Sequence, residues 1–221
     1  MSIWDFLARF GVRLLSGAAV TAELTVLSAA LAIAIAVLMG LMRLSGNPVV
    51  RGAAIGYIEF FRGTSLLVQL FWIFFVLPLF GITLEKFTAG FLAVGMNLGA
   101  YGAEVVRGAI QAVPKGQYEA ALALNMSPAS RMRRIILPQA LLIMLPPWGN
   151  LLIELLKGTA LVALISVSDL MFQAKQINGS TYLSIQSFGI ALIIYYVMAR
   201  LLVTPGVRWL ERVMRHRMGV A

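Results

Sequence analysis

Five long apolar stretches dominate this sequence, and each is long enough for a helix to cross a lipid bilayer. A helix needs about 20 residues to cross a hydrocarbon core of about 30 Å. Backbone polar groups in lipid must be satisfied within each segment, so only helices are expected there. The sequence therefore predicts one all-α transmembrane domain over residues 1–221, with spans at about 20–42, 63–80, 88–110, 146–167 and 183–204.

The composition supports an integral membrane protein and excludes several other classes. Hydrophobic residues make up 60% of the chain and charged residues 12%, and the mean hydropathy is +0.89. The net charge of +9 comes from basic residues that lie between the apolar stretches. Contact with lipid headgroups and control of topology explain them better than nucleic-acid binding. With no cysteine and one histidine, His216, we expect no redox chemistry and no metal site.

The N-terminal residues predict a short helix ahead of the first span. An apolar residue recurs at helical spacing within residues 3–14, which favours an amphipathic helix at the membrane interface. No clear small-residue cleavage site follows the apolar run, so we expect the segment to be retained. The apolar positions are Ile3, Phe6, Leu7, Phe10 and Leu14.

The basic residues predict the orientation in the membrane. Five spans put the termini on opposite sides, and cytoplasmic segments normally carry the excess of lysine and arginine. With the C-terminus inside, 12 of the 18 basic residues are cytoplasmic and four are outside, while Lys157 and Arg200 lie within spans. We therefore expect the N-terminus outside and the segment around Glu119 inside. The cytoplasmic set is Arg43, Arg51, Arg62, Arg107, Lys115, Arg131, Arg133, Arg134, Arg208, Arg212, Arg215 and Arg217.

The cytoplasmic segment, about residues 111–138, predicts two short helices joined by a tight turn. Asn125 tolerates the left-handed conformation of a helix C-cap, and Ser127 followed by Pro128 is typical of a helix start. The second helix is expected to end near Pro138, which cannot donate a backbone hydrogen bond. Such a hairpin is either a solvated connector or a docking element for a partner.

Glycines in the third span offer a surface for close helix packing. Gly95, Gly99 and Gly102 follow a small-residue spacing that lets helix backbones approach each other. Packing within one chain and packing between subunits both remain open.

The hairpin residues resemble the EAA motif, EAA-x3-G-x9-I-x-LP, of permease subunits of binding-protein-dependent ABC importers. The matching positions are Glu119, Ala120, Ala121, Asn125, Ile135, Leu137 and Pro138. The segments "RGTSLLVQLFWIFFVLP", "AYGAEVVRGAIQAVPKGQYEAA", "LPQALLIMLPPWGN" and "LLKGTALVALISVSDL" are similar to the polar amino-acid branch. The chain departs from the motif at Asn125, where the family usually has glycine, and we expect the turn to survive.

The resemblance implies the partners. A coupling helix would sit in a cleft of a cytoplasmic ATPase dimer, with a second permease chain, identical or paralogous, and an extracytoplasmic solute-binding protein completing the importer. The sequence has no G-x-x-x-x-G-K-[ST] loop, so ATP and Mg would be used by the partner ATPase. No cofactor bound by this chain is expected. Paired catalytic acids or a nucleophile with a base are not found, which favours a non-catalytic subunit.

Polar residues within the spans mark candidate pathway positions, because ionisable groups are costly in lipid. Asn150, Glu154 and Lys157 fall at i, i+4 and i+7 and share one helical face, and Gln69 is the polar candidate in the second span. Glu154 and Lys157 either neutralise each other or face a zwitterionic substrate. Glu104 and Arg107 are expected to form a structural pair.

The solute is open at this stage. A polar amino acid is the leading expectation, but Gly158 and Ala160 replace the acid and serine of the family's usual LLKDTSL. The resulting "IELLKGTAL" is similar to the ectoine branch, which makes ectoine or hydroxyectoine the alternative. A membrane scaffold or channel would need no ATPase and fits the motif poorly.

Overall fold

A computed structural model describes residues 2–217, except the side chains of Leu202 and residues 215–217, so His216, Arg215 and Arg217 lie outside the described side chains. Within this range the chain is helical, without a strand. The helices are α1 Ile3–Arg43, α2 Pro48–Gly63, α3 Leu66–Phe80, α4 Lys86–Ala112, α5 Lys115–Ala123, α6 Pro128–Ile165, α7 Leu170–Thr181 and α8, which runs from Ser184 through Met214 to Arg217.

The predicted all-α membrane fold is confirmed. Among the described residues, α1, α4, α6 and α8 are each long and apolar enough to cross a membrane, and the bent pair α2–α3 makes a fifth span if counted as one. Each of the five predicted spans overlaps one of these elements. The depth at which the hydrocarbon begins along each helix stays a prediction.

The expectation of a separate helix over residues 3–14 is wrong. Helix α1 runs unbroken from Ile3 to Arg43, because nothing in its sequence interrupts the backbone hydrogen bonds. Its start is fixed by a capping box: the Ser2 hydroxyl accepts from the Asp5 N–H at 3.2 Å, and the Asp5 carboxylate accepts from the Ser2 N–H at 3.2 Å.

Helices α1 and α4 pack closely through the glycines of the third span. A Cβ atom added at Gly95 would lie 2.8 Å from Leu31, and one added at Gly99 would lie 2.8 Å from Ile35. At Gly102 the added atom would lie 2.7 Å from the indole of Trp148 on α6. Packing within the chain therefore explains all three glycines.

The second predicted span is sharply bent. Helices α2 and α3 meet at an angle of 103° around Thr64 and Ser65, so residues 63–80 do not form one straight helix. Helix α2 was not predicted; it starts where the Asn47 side chain accepts from the Val49 N–H at 2.9 Å, with Pro48 as its first residue. Within α3 the backbone passes through a π-helical turn, Trp72–Val76.

Helix α6 corrects two expectations. It does not end near Pro138 but continues from Pro128 to Ile165, well beyond the start of the predicted fourth span at residue 146. A π-helical turn, Met132–Ile136, ends two residues before Pro138, and the helix continues past this residue, which lacks an N–H. The second arm of the hairpin and the fourth span are therefore one helix.

The remaining chain forms α7 and α8. Helix α7, which was not predicted, packs against the first half of α1, where an atom added at Gly17 would lie 2.9 Å from the carbonyl oxygen of Asp169. Helix α8 begins at Ser184, close to the predicted 183, but extends past 204 through a π-helical turn, Ala199–Val203.

Candidate functional site

The turn between α5 and α6 keeps the geometry predicted for it. Asn125 has a φ of 51°, in the left-handed region. The Met126 N–H donates to the Ala121 carbonyl at 3.0 Å, and the Asn125 N–H donates to the Leu122 carbonyl at 2.9 Å. These two bonds form a Schellman motif, which satisfies carbonyls at the end of α5. The expectation that asparagine keeps the turn in place of glycine is confirmed.

The start of α6 is also as predicted. The Ser127 hydroxyl accepts from the Ser130 N–H at 3.3 Å, and Pro128 occupies the first turn of the helix. A capped helix start directly follows a capped helix end, so the reversal between α5 and α6 takes four residues, 124–127. A connection this short restricts the angle between the two helices.

The motif residues on α5 divide between the inside and the outside of the hairpin. Glu119 and Ala120 are exposed, whereas Ala121 is 1% exposed and packs inward. Leu122 and Leu124, which the sequence analysis did not single out, are 58% and 76% exposed. Two exposed leucines on a segment predicted to lie in water were the available signal of a contact surface. We call Glu119, Ala120, Leu122 and Leu124 the hairpin surface.

The motif residues on α6 are less exposed. Ile135 and Pro138 are half-buried, and Leu137 is 37% exposed. Ile135 packs beside a buried cluster that includes Ile136 and Val113. Their position at the base of the hairpin suits them to hold it on the transmembrane helices.

Several contacts tie the hairpin to the bundle. The Tyr118 hydroxyl donates to the Ile110 carbonyl of α4 at 3.4 Å. The guanidinium of Arg131 lies 5.8 Å from the Tyr118 ring centroid, a cation–π contact between α5 and α6. Gln139 on α6 donates to the Gln117 side chain on α5 at 3.3 Å. Helix α5 is therefore attached to both α4 and α6.

A three-charge cluster lies at the hairpin end of the bundle. The predicted pair is confirmed, with Arg107 Nη2 2.8 Å from Glu104 Oε2. Arg43, the last residue of α1, binds the other carboxylate oxygen of Glu104. The cluster joins the ends of α1 and α4, which supports the structural role expected for Glu104.

Asn150, Glu154 and Lys157 lie on one face of an uninterrupted stretch of α6, and all three side chains are exposed. Among the described side chains no ion pair joins Glu154 to Lys157, so their mutual neutralisation is not seen. An exposed charge deep in a bilayer costs about 2.5–3.5 kcal/mol on insertion scales. On that scale, contact with lipid is disfavoured for this face of α6, which we call the polar face.

A groove of about 610 Å³ borders the polar face between α6 and α8. Lys157 and Arg200 both line it, together with apolar side chains such as Ile153 and Leu192. Arg200 lies within the fifth predicted span, and no role was predicted for it from the sequence. The sequence did contain a signal for this residue, because an arginine in an apolar span is itself a reason to suspect a functional position.

Gln69 forms hydrogen bonds across the bend between α2 and α3. It is buried, and its amide nitrogen donates to the Phe61 carbonyl at 3.0 Å and to the Thr64 hydroxyl at 2.6 Å. Asn97 on α4, which was not singled out, donates to the same carbonyl and to Gln69 Oε1, both at 3.0 Å. Gln69 also lines a groove of about 520 Å³ beside Trp72.

A buried carboxylate, Asp169, lies at the opposite end of the bundle. It caps α7 by accepting from the Phe172 N–H at 2.9 Å, and it accepts from the Tyr195 hydroxyl of α8 at 3.2 Å. Burial raises the pKa of Asp169 to about 6, although these hydrogen bonds favour the charged form. Asp169 was not predicted as a special position because its burial depends on contacts distant in sequence.

Residues 32–216 match the family described as the inner membrane component of binding-protein-dependent transport systems. The chain belongs to this family. It is thus a multi-pass membrane subunit of a transport system, in agreement with the resemblance found in its hairpin.

Similar proteins refine this family assignment. A probable amino-acid ABC transporter permease, y4tF of Sinorhizobium fredii, is 46% identical over 219 residues, which cover 93% of this chain and 90% of that protein. The glutamine transport system permease GlnP of Escherichia coli is 36% identical, covering 91% of this chain and 93% of its own length.

Solved structures agree with the fold. A crystal structure of an amino acid ABC transporter with histidines matches with a TM-score of 0.88 and 37% identity, covering 96% of this chain and 98% of that one. An inward-facing structure of the MetNI methionine ABC transporter matches with a TM-score of 0.80, covering 93% of this chain and 98% of its own. At 18% identity that likeness concerns the fold alone.

Proposed function

We propose that this chain is the permease subunit of an ATP-driven importer that moves a polar amino acid across the bacterial inner membrane. A separate ATPase dimer supplies the energy by using ATP and Mg, and it docks on the hairpin surface. The chain itself performs no catalysis. A second permease chain and an extracytoplasmic solute-binding protein complete the complex. The named amino-acid transporters among the relatives support this solute class, and no observation favours the alternative, ectoine.

The continuity of α6 carries the proposal. The same helix contains the second arm of the hairpin, from Pro128, and the polar face at Asn150, Glu154 and Lys157. From Pro128 to Lys157 it extends over about 44 Å at 1.5 Å per residue. A displacement of the hairpin by the ATPase would therefore be transmitted along one continuous helix to the pathway. No loop intervenes to absorb it.

The hairpin surface has the chemistry of a contact rather than of a solvated connector. A connector in water would expose polar side chains, but Leu122 and Leu124 are both more than half exposed. Ala120 adds a small residue that permits close approach, and Glu119 adds a carboxylate for a hydrogen bond or ion pair. Burial of these leucines in an ATPase cleft would remove them from water.

The polar face and the bend are the proposed pathway. Glu154 and Lys157 are suited to the ammonium and carboxylate groups of an amino acid, and Asn150 offers hydrogen bonds to either. The Gln69 amide is hydrogen-bonded at the bend, to Phe61 and Asn97. Gln69 would therefore form a fixed part of the pathway wall on α3. Two copies facing each other would enclose these groups away from lipid.

Copurification tests the docking proposal. In the full importer, Glu119→Arg is expected to reduce the amount of ATPase that copurifies with the permease and to lower substrate-stimulated ATP hydrolysis. Glu85→Arg is a matched control. Glu85 is also an exposed acid, but it precedes the start of α4, at the end of that helix away from the hairpin. Equal copurification and hydrolysis in the two variants would contradict the role assigned to the hairpin.

The orientation has its own test. The chain contains no cysteine, so single cysteines can be introduced without removing any. A cysteine at Ser127 is expected to resist a membrane-impermeant maleimide in intact cells, and one at Thr83 is expected to react. The opposite pattern would contradict an extracytoplasmic N-terminus and a cytoplasmic C-terminus.

A further inference from the structure

The groove between α6 and α8 combines two positive charges with apolar walls. Lys157 projects from α6 and Arg200 from α8, and no aspartate or glutamate is found among the described residues that line the groove. Neither cation takes part in an ion pair among the described side chains. Two unneutralised cations in one concave site require an anionic occupant or bulk water.

The position of Lys157 argues against a lipid headgroup. Arg200 lies four residues before the end of the predicted span 183–204, beyond which Arg208 and Arg212 make α8 polar. Lys157 lies in the middle of the apolar stretch 146–167. Phosphate headgroups lie at the membrane surfaces, whereas substrate sites of transporters lie near the midplane. A small anion that enters through water suits the position of Lys157 better, and the Arg200 side chain lines the same groove.

The charges of the site exceed those that a zwitterion needs. Glu154 lies on the polar face one helical turn before Lys157, outside the groove lining, and complements one ammonium group. Lys157 complements one carboxylate, so a neutral amino acid leaves Arg200 unmatched. The guanidinium offers a planar pair of donors that binds a carboxylate with two hydrogen bonds. The additional cation therefore favours a ligand with a second carboxylate.

We propose that Arg200 and Lys157 form a two-cation subsite in the groove between α6 and α8, and that it selects amino acids with a carboxylate side chain over neutral and cationic ones. The inference rests on the proposed import of amino acids and specifies the class of substrate. A groove of about 610 Å³ lies within the range of small-molecule sites.

Direct binding to the purified permease–ATPase complex, without the solute-binding protein, tests this subsite. The probes are L-glutamate, its neutral isostere L-glutamine, and L-arginine. The wild-type complex is expected to bind L-glutamate at least tenfold more tightly than L-glutamine. Arg200→Gln should weaken L-glutamate binding by about tenfold or more, because a charge-assisted hydrogen bond is lost. It should change L-glutamine binding by less than twofold.

Two further variants separate charge from structure. Arg200→Lys keeps the charge but not the paired donors, so it should restore part of the preference for L-glutamate. Arg208→Gln removes an exposed arginine of the same helix outside the groove and should leave all three affinities unchanged.

The contradicting results are distinct. Tighter binding of L-glutamine or L-arginine, equal loss of both ligands in Arg200→Gln, or no saturable binding of any probe would overturn the subsite. Dissociation of the permease pair in Arg200→Gln would instead assign the groove to a second copy. Loss of copurified lipid phosphorus with unchanged amino-acid binding would assign it to lipid. ATP-dependent uptake of neutral amino acids alone would refute the subsite and leave the proposed importer standing.

Discussion

Leu124 offers the sharpest test of the hairpin surface, because it is 76% exposed in the isolated chain. Complete burial of a leucine side chain is worth about 1.5–3 kcal/mol, so burial of the part now exposed is worth about 1–2 kcal/mol. Leu124→Ala should therefore weaken binding of the ATPase by about 5- to 30-fold. The measurement is titration of purified ATPase onto permease held in lipid nanodiscs.

The same helix supplies a contrasting variant. Ala121 lies three residues from Leu124 but is 1% exposed, so Ala121→Leu has no room for the larger side chain. We expect it to lower the free energy of unfolding by about 1–3 kcal/mol, whereas Leu124→Ala should change it by less than about 0.5 kcal/mol. An affinity for the ATPase within twofold of wild type in Leu124→Ala would refute the contact assigned to this residue.

Three other perturbations follow from local geometry. Asn125→Val should destabilise the hairpin by about 1–2 kcal/mol while Asn125→Gly is tolerated, since the turn needs a positive φ; hydrogen exchange of α5 measures both. Gly102→Leu should lower the unfolding temperature, because even its Cβ would meet Trp148 at 2.7 Å. Asp169 binds a proton more tightly in the folded chain, with a pKa near 6 against 3.8, so its contribution to stability falls as pH rises from about 4 to about 6. Asp169→Asn should remove this loss of about 3 kcal/mol in the free energy of unfolding. Thermal unfolding should therefore give similar unfolding temperatures for wild type and variant at pH 4, and a lower one for the wild type at pH 7.

Local chemistry explains which features could be predicted from sequence. The turn at Asn125 and the helix start at Ser127 depend on residues within a few positions of each other, so their geometry follows from capping preferences. The spans are equally accessible to prediction, because lipid permits so few backbone conformations. The ends of α6 were misplaced because hydropathy locates apolar residues, not the ends of helices, and a π-helical turn carries α6 through Pro138.

Contacts between distant segments explain what could not be predicted. The bend at Thr64 depends on Gln69 and Asn97, which meet the same Phe61 carbonyl from different helices. The inward packing of Ala121 depends on α5 lying against the bundle. The sequence shows an arginine at position 200, but the position of Arg200 in the groove beside Lys157 depends on how α8 packs against α6.

Photocrosslinking from Leu124 in the assembled importer tests the central claim, that the hairpin surface is the contact with the ATPase. A photoreactive amino acid at Leu124 is compared with one at Leu79, a leucine of similar exposure at the far end of α3. We expect a crosslink to the ATPase from position 124 and none from position 79. Absence of the crosslink at 124, or equal crosslinking at both positions, would contradict it.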